Sequence, residues 1–224
     1  VAVIGDFAKV PRYQGAGSSV VNPTKLDSPL VCLGFGIEKY EKNPLPDPKD
    51  KVTSIGDNIF GLKIAGYAPG FDRYGKKNDG LIKEACALAD KAEVSLVYLG
   101  LDEVTEAEGL DRGDIKIPQA QIDLVDALAK KGKKIVVVLS CGSAVELPFA
   151  DKVDAIVHAY LGGQAIAEAV LDVIVGKVNP SGKLAESYPY EYKDCSSASH
   201  FPGKQRSVEY REGMFVGYRY YDTA

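Results

Sequence analysis

Residues 94–118 read VSLVYLGLDEVTEAEGLDRGDIKIP, and three kinds of sequence follow one another in this stretch. Residues 94–99 are an apolar run, which is typical of a strand buried on both faces. The polar residues 101–117, called the acidic loop below, come after Gly100, and Pro118 is suited to the first position of a helix. A strand, a loop and a helix in this order predict one β–α unit of a parallel sheet.

The remainder of the chain continues this alternation. Apolar runs at residues 1–5, 61–66, 135–140 and 154–160 predict strands, and apolar residues at helical spacing predict helices beginning near residues 79, 118 and 162. A weak helix is expected at residues 26–40, an exposed connection at 41–51, and further strands within 177–187 and at 215–221. Such units produce a parallel sheet with helices on both faces. We therefore predict a single α/β domain, a three-layer αβα sandwich with a mostly parallel, flavodoxin-like sheet.

The composition argues against several classes of partner. The 224 residues carry a net charge of −4 and show no basic stripe interleaved with aromatic residues, so nucleic acid is not expected as a partner. No apolar run approaches the roughly 18 residues that a membrane span needs, so no membrane partner is expected. With two histidines and no ligand-like spacing, we expect no metal site and no cofactor.

The four cysteines, Cys32, Cys86, Cys141 and Cys195, are widely spaced and form no C-x-x-C pair. Free thiols in a reducing compartment are therefore favoured over a disulfide framework, and we expect a cytoplasmic protein. The sequence begins within an apolar run and not with Met, which leads us to expect that it is part of a longer polypeptide.

The carboxyl ends of parallel strands lie along one edge of a sheet, where open α/β sheets bind ligands. The loops after the predicted strands should bring together a set of polar groups there: Asp6, Arg12, Tyr13, the backbone of Gly15 to Ser19, Glu106, Glu108, Asp111, Arg112, His158 and Gln164. A serine nucleophile is not indicated, because the chain has no G-x-S-x-G motif and His158 falls inside a predicted strand. Cys141 has no cationic neighbour in the sequence that would activate its thiol.

Carboxylates are the remaining candidates for chemistry at this edge. A glutamate can act as a general acid when burial raises its pKa toward neutrality. Arg112 would oppose this in contact with Glu108, because a neighbouring cation lowers the pKa of a carboxyl group. We predict instead that Arg112 pairs with Asp111 and fixes the shape of the loop. From these residues alone, a solvated surface loop is the commoner alternative.

The glycine-rich segment at residues 11–23 has a superficial likeness to a dinucleotide fingerprint. Its GAG triplet follows the first strand by ten residues and lacks the third glycine of the fingerprint, so phosphate binding is not favoured. Two interpretations stay open. Either Arg12, Tyr13, Gly15, Gly17 and Ser18 shape a cleft, or the segment packs only against another domain.

Several segments together resemble glycoside hydrolase family 3, in its C-terminal αβα-sandwich domain. The sequence EGLDR at residues 108–112, with the I-x-I-P-x-x-Q pattern at 115–121, is similar to the acid/base loop of that family. Further similar segments are PRYQGAGSSVVNPTKL, VVVLSCGSAVELPF, AYLGGQ, GKVNPSGKLAESYP and FPGKQRSVEYREGMFVGYRYYD. They keep the order of the family and span nearly the whole chain, and the likeness is greatest to bacterial β-glucosidases and related β-glycosidases.

The resemblance implies one half of the active site of a retaining β-glycosidase, most closely a β-glucosidase, whose substrate is a β-linked glucoside or oligosaccharide. A (β/α)₈ barrel of the same polypeptide would carry an aspartate nucleophile. Glu108 would be the acid/base, with Glu106 as the alternative and with Asp111 and Arg112 shaping the loop. No barrel or nucleophile motif lies in the 224 residues, so this chain alone should be inactive.

A noncatalytic, flavodoxin-like module that binds a carbohydrate or a protein is the main alternative, and a nucleotide-binding α/β protein is a further one. The surface separates the first two possibilities. A large exposed apolar patch would indicate an interface with another domain, whereas a uniformly polar surface would favour an autonomous module.

Overall fold

The computed structural model describes residues 1–38, 47, 49–203 and 206–223. Most of the connection predicted at residues 41–51 therefore lies outside the described residues. The strands are β1 Ala2–Ile4, β2 Phe35–Ile37, β3 Val52–Ile55, β4 Gly66–Ala68, β5 Val94–Gly100, β6 Lys134–Ser140 and β7 Ala155–His158. The helices are α1 Pro29–Cys32, α2 Asp79–Ala89, α3 Gln119–Ala129, α4 Ile166–Ile174 and α5 Tyr218–Tyr221. Short 3-10 turns lie at Asp6–Ala8, Ala150–Lys152 and Tyr192–Asp194.

A five-stranded sheet forms the centre of the domain, in the spatial order β4-β1-β5-β6-β7, and its strands pair in parallel. Counted along the chain, these strands have the order 2-1-3-4-5, which is the flavodoxin-like arrangement. The order of the strands reverses between β1 and β5, so the loops after these two strands flank a crevice at the carboxyl edge of the sheet. The predicted fold class is confirmed.

The sequence explains why β5 and β6 dominate the sheet. They pair residue by residue from Val94 with Lys134 to Gly100 with Ser140, and nearly all of β5 is buried, as its uninterrupted apolar run predicted. Helix α2 packs against α3, and α1 packs against α4, which supplies the two helical layers. The predicted cap of α2 is also confirmed, because the side chain of Asn78 accepts hydrogen bonds from the first turn of the helix.

Two predicted elements before residue 70 differ from the structure. The strand predicted at residues 61–66 begins only at Gly66, where β4 pairs with the three residues of β1, and Leu62 and Ile64 pack against the core outside the sheet. The weak helix predicted at residues 26–40 shrinks to the four residues of α1. Gly34, with a φ of 88°, follows this helix, and the chain continues into β2, which forms an antiparallel hairpin with β3.

The strands predicted within residues 177–187 and at 215–221 were wrong. In the described part of the chain, residues 175–217 contain no strand, and α5 takes the place of the last predicted strand. Alternating aromatic residues form a strand only when a neighbouring strand accepts their backbone hydrogen bonds. Among the described residues, 215–221 pair with no strand, and the backbone instead closes the short hydrogen-bonded turns of α5.

Across the described residues, no helix combines the length and the apolar character that crossing a bilayer requires. The same residues contain no group of three or more histidine, cysteine, aspartate or glutamate side chains that could hold a metal ion. The four cysteines are free thiols.

Candidate active site

Two loops join each other at the crevice between β1 and β5. One is the β1 loop, residues 9–28, and the other is the acidic loop. A parallel β-bridge pairs Ala16 with Ala107, and the amide of Glu108 donates to the carbonyl oxygen of Ala16 at 2.9 Å. These contacts place residues 91 and 92 positions apart in the sequence side by side, as the common sheet edge predicted.

Arg12 is the buried side chain that fixes this junction, with 3% of its surface exposed. Its Nε donates to the carbonyl oxygen of Leu101 at 3.2 Å, and its Nη2 donates to the carbonyl oxygen of Glu106 at 2.8 Å. A third bond runs from Nη1 to the carbonyl oxygen of Gln14 in its own loop. Arg12 therefore satisfies backbone oxygens of both loops, and each of its three nitrogens donates at least one hydrogen bond within the chain.

Tyr13 connects the same junction to the loop after β7. Its carbonyl oxygen accepts from the amide of Gly163 at 2.8 Å, and its hydroxyl oxygen accepts from Nε2 of Gln14 at 2.6 Å. Gln164, another residue expected at this edge, accepts from the amide of Asp27 through its carbonyl oxygen. The structure thus brings the loops after β1, β5 and β7 together.

The carboxylate of Glu106 is fully engaged. Both of its oxygens lie 2.9 Å from the amide nitrogen of Gly142, and the hydroxyl of Ser143 donates to Oε1 at 3.2 Å. The guanidinium of Arg12 lies 3.7 Å from Oε2. Glu106 therefore joins the acidic loop to the loop after β6 and to the β1 loop.

Glu108, two residues further on, is exposed and differently bound. Its Oε2 accepts from both the amide and the hydroxyl of Ser18, each at 2.5 Å. Within the described residues, Oε1 has no hydrogen-bond partner. The two bonds from Ser18 stabilise the charged form and hold the pKa of Glu108 below its ordinary value.

Gly17 makes room for Glu108. Its φ of 120° lies in the left-handed region, and a Cβ at this position would come within 2.4 Å of Cβ of Glu108. By contrast, a Cβ at Gly15 would meet only Oγ of Ser19, at 3.8 Å. Of the two glycines singled out in the sequence, Gly17 is the one that this geometry requires.

The predicted pair of Arg112 and Asp111 was wrong. Arg112 donates from Nη1 to Oγ of Ser143 at 2.9 Å, and its buried Nη2 has no partner among the described residues. Asp111 is exposed to solvent. Ser143 therefore accepts a hydrogen bond from Arg112 and donates one to Glu106. The sequence did not indicate this role of Ser143, because a single serine after a strand forms no recognisable motif.

Arg73 is a second residue that the sequence did not single out. Its guanidinium is buried, lies 2.7 Å from Oδ2 of Asp6, and forms a two-pronged pair with the carboxylate of Glu103. It also stacks over the ring of Phe7 at 4.5 Å. This charge cluster joins the segments that follow β1, β4 and β5, so the carboxylate of Asp6 is engaged in a structural contact.

Two further candidates from the sequence are Cys141 and His158. Burial raises the pKa of Cys141 to about 12, which leaves its thiol protonated and unreactive at neutral pH. His158 stacks on Tyr160 with ring centroids 3.6 Å apart, its Nδ1 lies 3.2 Å from the carbonyl oxygen of Leu139, and burial lowers its pKa. Neither residue touches Glu108 in the described structure.

Comparisons with known proteins agree with this geometry. Residues 1–218 match the family described as "Glycosyl hydrolase family 3 C-terminal domain". Among curated relatives, the "Thermostable beta-glucosidase B" of Acetivibrio thermocellus is 43% identical over all of this chain and 27% of its own length. The "Exo-alpha-(1->6)-L-arabinopyranosidase" of Bifidobacterium breve is 42% identical over all of this chain and 26% of its own length.

A solved structure is similar as well. The crystal structure of a Bifidobacterium adolescentis GH3 beta-glucosidase is 41% identical, with a TM-score of 0.81, over 99% of this chain and 29% of that one. The chain therefore spans less than a third of the length of each of these proteins.

Proposed function

Because the chain belongs to glycoside hydrolase family 3, as its C-terminal domain, we propose that it supplies the acid/base of a retaining β-glycosidase, most closely a β-glucosidase, and that Glu108 is this residue. One observation carries the proposal. Glu108 has a carboxylate whose position is fixed by two loops and whose Oε1 is open to solvent at the crevice of the sheet.

The other carboxylates of the first half of the acidic loop are occupied by structural contacts. Asp102 accepts from the amides of Val104 and Thr105 and from the hydroxyl of Thr105. Glu103 pairs with Arg73, and Glu106 is engaged through both oxygens. This comparison favours Glu108 over Glu106, the alternative that the sequence left open.

The proposed mechanism has two steps. Glu108 first protonates the glycosidic oxygen while a carboxylate outside this chain attacks the anomeric carbon, which gives a covalent glycosyl-enzyme and releases the alcohol. Glu108 then takes a proton from water, the water attacks the anomeric carbon, and the sugar leaves with retained configuration. In such enzymes the two carboxyl groups lie about 5–5.5 Å apart.

The nucleophile would lie in a (β/α)₈ barrel of the same polypeptide, as the resemblance implies. The lengths of the relatives support a longer polypeptide. The low pKa of Glu108 is consistent with a site shared between two domains. A general acid needs a raised pKa, and the exposed carboxylate of Glu108 in this chain does not have a raised pKa. A second domain placed over the acidic loop would remove water from Glu108 and raise its pKa.

Exposed apolar side chains also support an interface with another domain. Val104 and Leu110 in the acidic loop, and Val20 and Val21 in the β1 loop, are exposed beside Glu108. A second group lies in residues 178–221, where Tyr210 is 95% exposed. Apolar surface of this extent is typical of an interface and argues against the autonomous binding module. The nucleotide-binding alternative is disfavoured because the amide of Ser18 already binds the carboxylate of Glu108.

The test uses Glu108→Gln in the complete polypeptide that carries this chain. The variant should lose about 10²–10⁴-fold in turnover of a glucoside with a poor leaving group, because such an alcohol cannot depart without a proton. A glucoside with an acidic phenol as leaving group should be affected much less at the first step. Added azide, which needs no base, should restore turnover and give a glycosyl azide.

Glu84→Gln, a change of the same kind on the exposed face of α2, is the matched control and should behave like the parent. Unchanged turnover of the poor substrate by Glu108→Gln would refute the assignment of the acid/base. A loss confined to Glu106→Gln would move the role to that residue.

A further inference from the structure

The segment 16–18 forms a receptor for one side chain. The carbonyl oxygen of Ala16 accepts a hydrogen bond from the amide of Glu108, and Gly17 leaves space for Cβ of Glu108. Ser18 donates two hydrogen bonds to Oε2 of the same residue. These contacts use backbone, shape and side chain separately, and all three are directed at one residue that lies about 90 positions away. A loop that merely filled space would not direct three different contacts at a single residue in this way.

The two oxygens of Glu108 are thereby made unequal. Oε2 accepts two hydrogen bonds, and an oxygen that accepts two donors is a poor site for a proton. Oε1 lies free in the described structure, so a proton on the carboxyl group belongs on Oε1. Both donors can stay in place when Oε1 is protonated and when it is not, because Oε2 is an acceptor in either state.

Charged groups that face this site are bound elsewhere. Arg12 of the β1 loop is held by Leu101, Gln14 and Glu106, and Glu106 is held by the loop after β6. Arg112 points to Ser143. Asp111, on the same loop as Glu108, is solvent-exposed. Ser18 is therefore the neighbour that acts on the charge of Glu108 most directly.

We propose that Ser18 is a positioning residue for the acid/base: it holds Oε2 of Glu108 and so makes Oε1 the oxygen that gives and takes the proton. This rests on the proposed role of Glu108. Ser18 does not touch the reacting atoms. It keeps the carboxyl group from rotating between proton donation to the leaving group and proton removal from water.

The first experiment observes Glu108 directly, without activity. In the 224-residue chain, ¹³C-detected titration of the Glu108 carboxyl group should give a pKa below the ordinary glutamate value. Ser18→Ala removes the hydroxyl donor and should raise this pKa, whereas Ser18→Thr keeps the donor and should leave it low. Equal pKa values in the parent and Ser18→Ala would overturn the contact on which the proposal rests.

The second experiment measures kinetics in the complete polypeptide. Ser18→Ala should lower kcat on the order of tenfold, since one hydrogen bond to a charged group is lost, with little change in KM. The alkaline limb of the kcat/KM profile should move to higher pH, because the protonated form of Glu108 becomes easier to keep. Ser18→Thr should restore both quantities toward the parent.

Ser19→Ala is the matched control, because it removes the neighbouring hydroxyl, to which the structure assigns no bond with Glu108. If Ser18→Ala keeps the parent kcat and pH profile while Glu108→Gln loses turnover, the positioning role is wrong and the acid/base assignment stands. If Glu108→Gln is fully active, the proposed function has failed, and the titration still decides the contact. A profile moved equally by Ser19→Ala would also contradict a specific role for Ser18.

Discussion

At the scale of single residues, the position of Glu108 depends on an atom that is missing from residue 17. Gly17→Ala places a methyl group within 2.4 Å of Cβ of Glu108, on a backbone conformation that alanine disfavours. We expect kcat of the complete polypeptide to fall by about a hundredfold or more, because displacement of a reacting group by about 1 Å has effects of this size. Steady-state kinetics on an aryl glucoside measures this.

Gly113→Ala is the control for this change. Gly113 lies in the acidic loop with open space around its position, so a methyl group should be accommodated there at no cost to turnover. Thermal unfolding of both variants within a few degrees of the parent would assign the loss at residue 17 to the site. Full activity of Gly17→Ala would show that Glu108 does not need its present place.

His158 supplies a prediction about stability. Burial lowers its pKa in the folded chain, so the unfolded chain binds a proton at higher pH than the folded one does. This group therefore favours unfolding as pH falls from 6.5, its ordinary value, through its lower folded value, and contributes nothing above that window. The free energy of unfolding, measured by urea titration between pH 7.5 and pH 5, should fall in this range for that reason.

His158→Phe keeps a ring to stack on Tyr160 and removes the titrating group. The contribution of His158 to the slope of the free energy of unfolding against pH should therefore vanish in this variant. A slope that persists undiminished in His158→Phe would assign the pH dependence to other groups.

At this same scale, the sequence indicated which residues meet but not how they bind one another. Arg12, Gly17, Ser18, Glu106 and Glu108 were all predicted at one sheet edge, because the topology brings loop ends together. The partner of Arg112 was predicted wrongly. Neighbours in sequence look like natural ion pairs, whereas the bond to Ser143 joins positions 31 residues apart and has no local pattern.

At the scale of elements, the buried pair of Asp6 and Arg73, with the half-exposed Glu103, links the segments that follow three strands. Arg73→Leu would leave the buried carboxylate of Asp6 without its cation, and we expect the free energy of unfolding to fall by about 3–5 kcal/mol. Chemical denaturation of the 224-residue chain measures this. Adding Asp6→Asn to Arg73→Leu should recover part of the loss, because the stranded charge is then removed.

Lys131→Leu serves as the comparison for Arg73→Leu, because it breaks the exposed pair with Asp90. An exposed pair of this kind contributes about 0–1 kcal/mol, so its removal should be close to neutral. Equal effects of the two changes would mean that burial adds nothing to the Arg73 cluster.

The elements themselves were predictable where one physical rule sufficed. Apolar runs correctly predicted β1, β5 and β6, because strands inside a parallel sheet are buried on both faces. The run at β7 was also predicted correctly, although this strand lies at the edge of the sheet and is only partly buried. The hairpin of β2 and β3 was missed, since three-residue and four-residue strands carry too few residues for an alternation to stand out. At α5 the alternating aromatic pattern led to a wrong prediction. The pattern is typical of a strand, but these residues pair with no strand in the described structure.

At the scale of the whole molecule, a substitution on the exposed aromatic surface of residues 178–221 should have different effects on stability in the 224-residue chain and in the complete polypeptide. Tyr210, Tyr190 and Val208 are each at least 80% exposed. Tyr210→Asp in the 224-residue chain should leave the melting temperature unchanged, because the side chain touches little there. In the complete polypeptide it should lower the melting temperature or the activity, because a charge would be buried in a domain interface.

Differential scanning calorimetry of both forms measures this, with Ile59→Asp as the control. Ile59 is also 80% exposed but lies before β4, at the amino edge of the sheet, away from the crevice. The interface is refuted for this surface if Tyr210→Asp has no effect in either context.

The bridge between Ala16 and Ala107 has a consequence for how such enzymes can be recombined. The hydrogen bonds that orient Glu108 start and end within residues 12–143 of one chain. A transferred domain would therefore carry the proposed proton donor together with the residues that hold it in position. Chimeras that graft this domain onto a barrel from a relative with another sugar preference should inherit the preference of the barrel while reusing the same donor. Under the proposed function, the sugar specificity and the orientation of the proton donor would then be separately exchangeable, whereas the pKa of Glu108 would still depend on the domain that covers it.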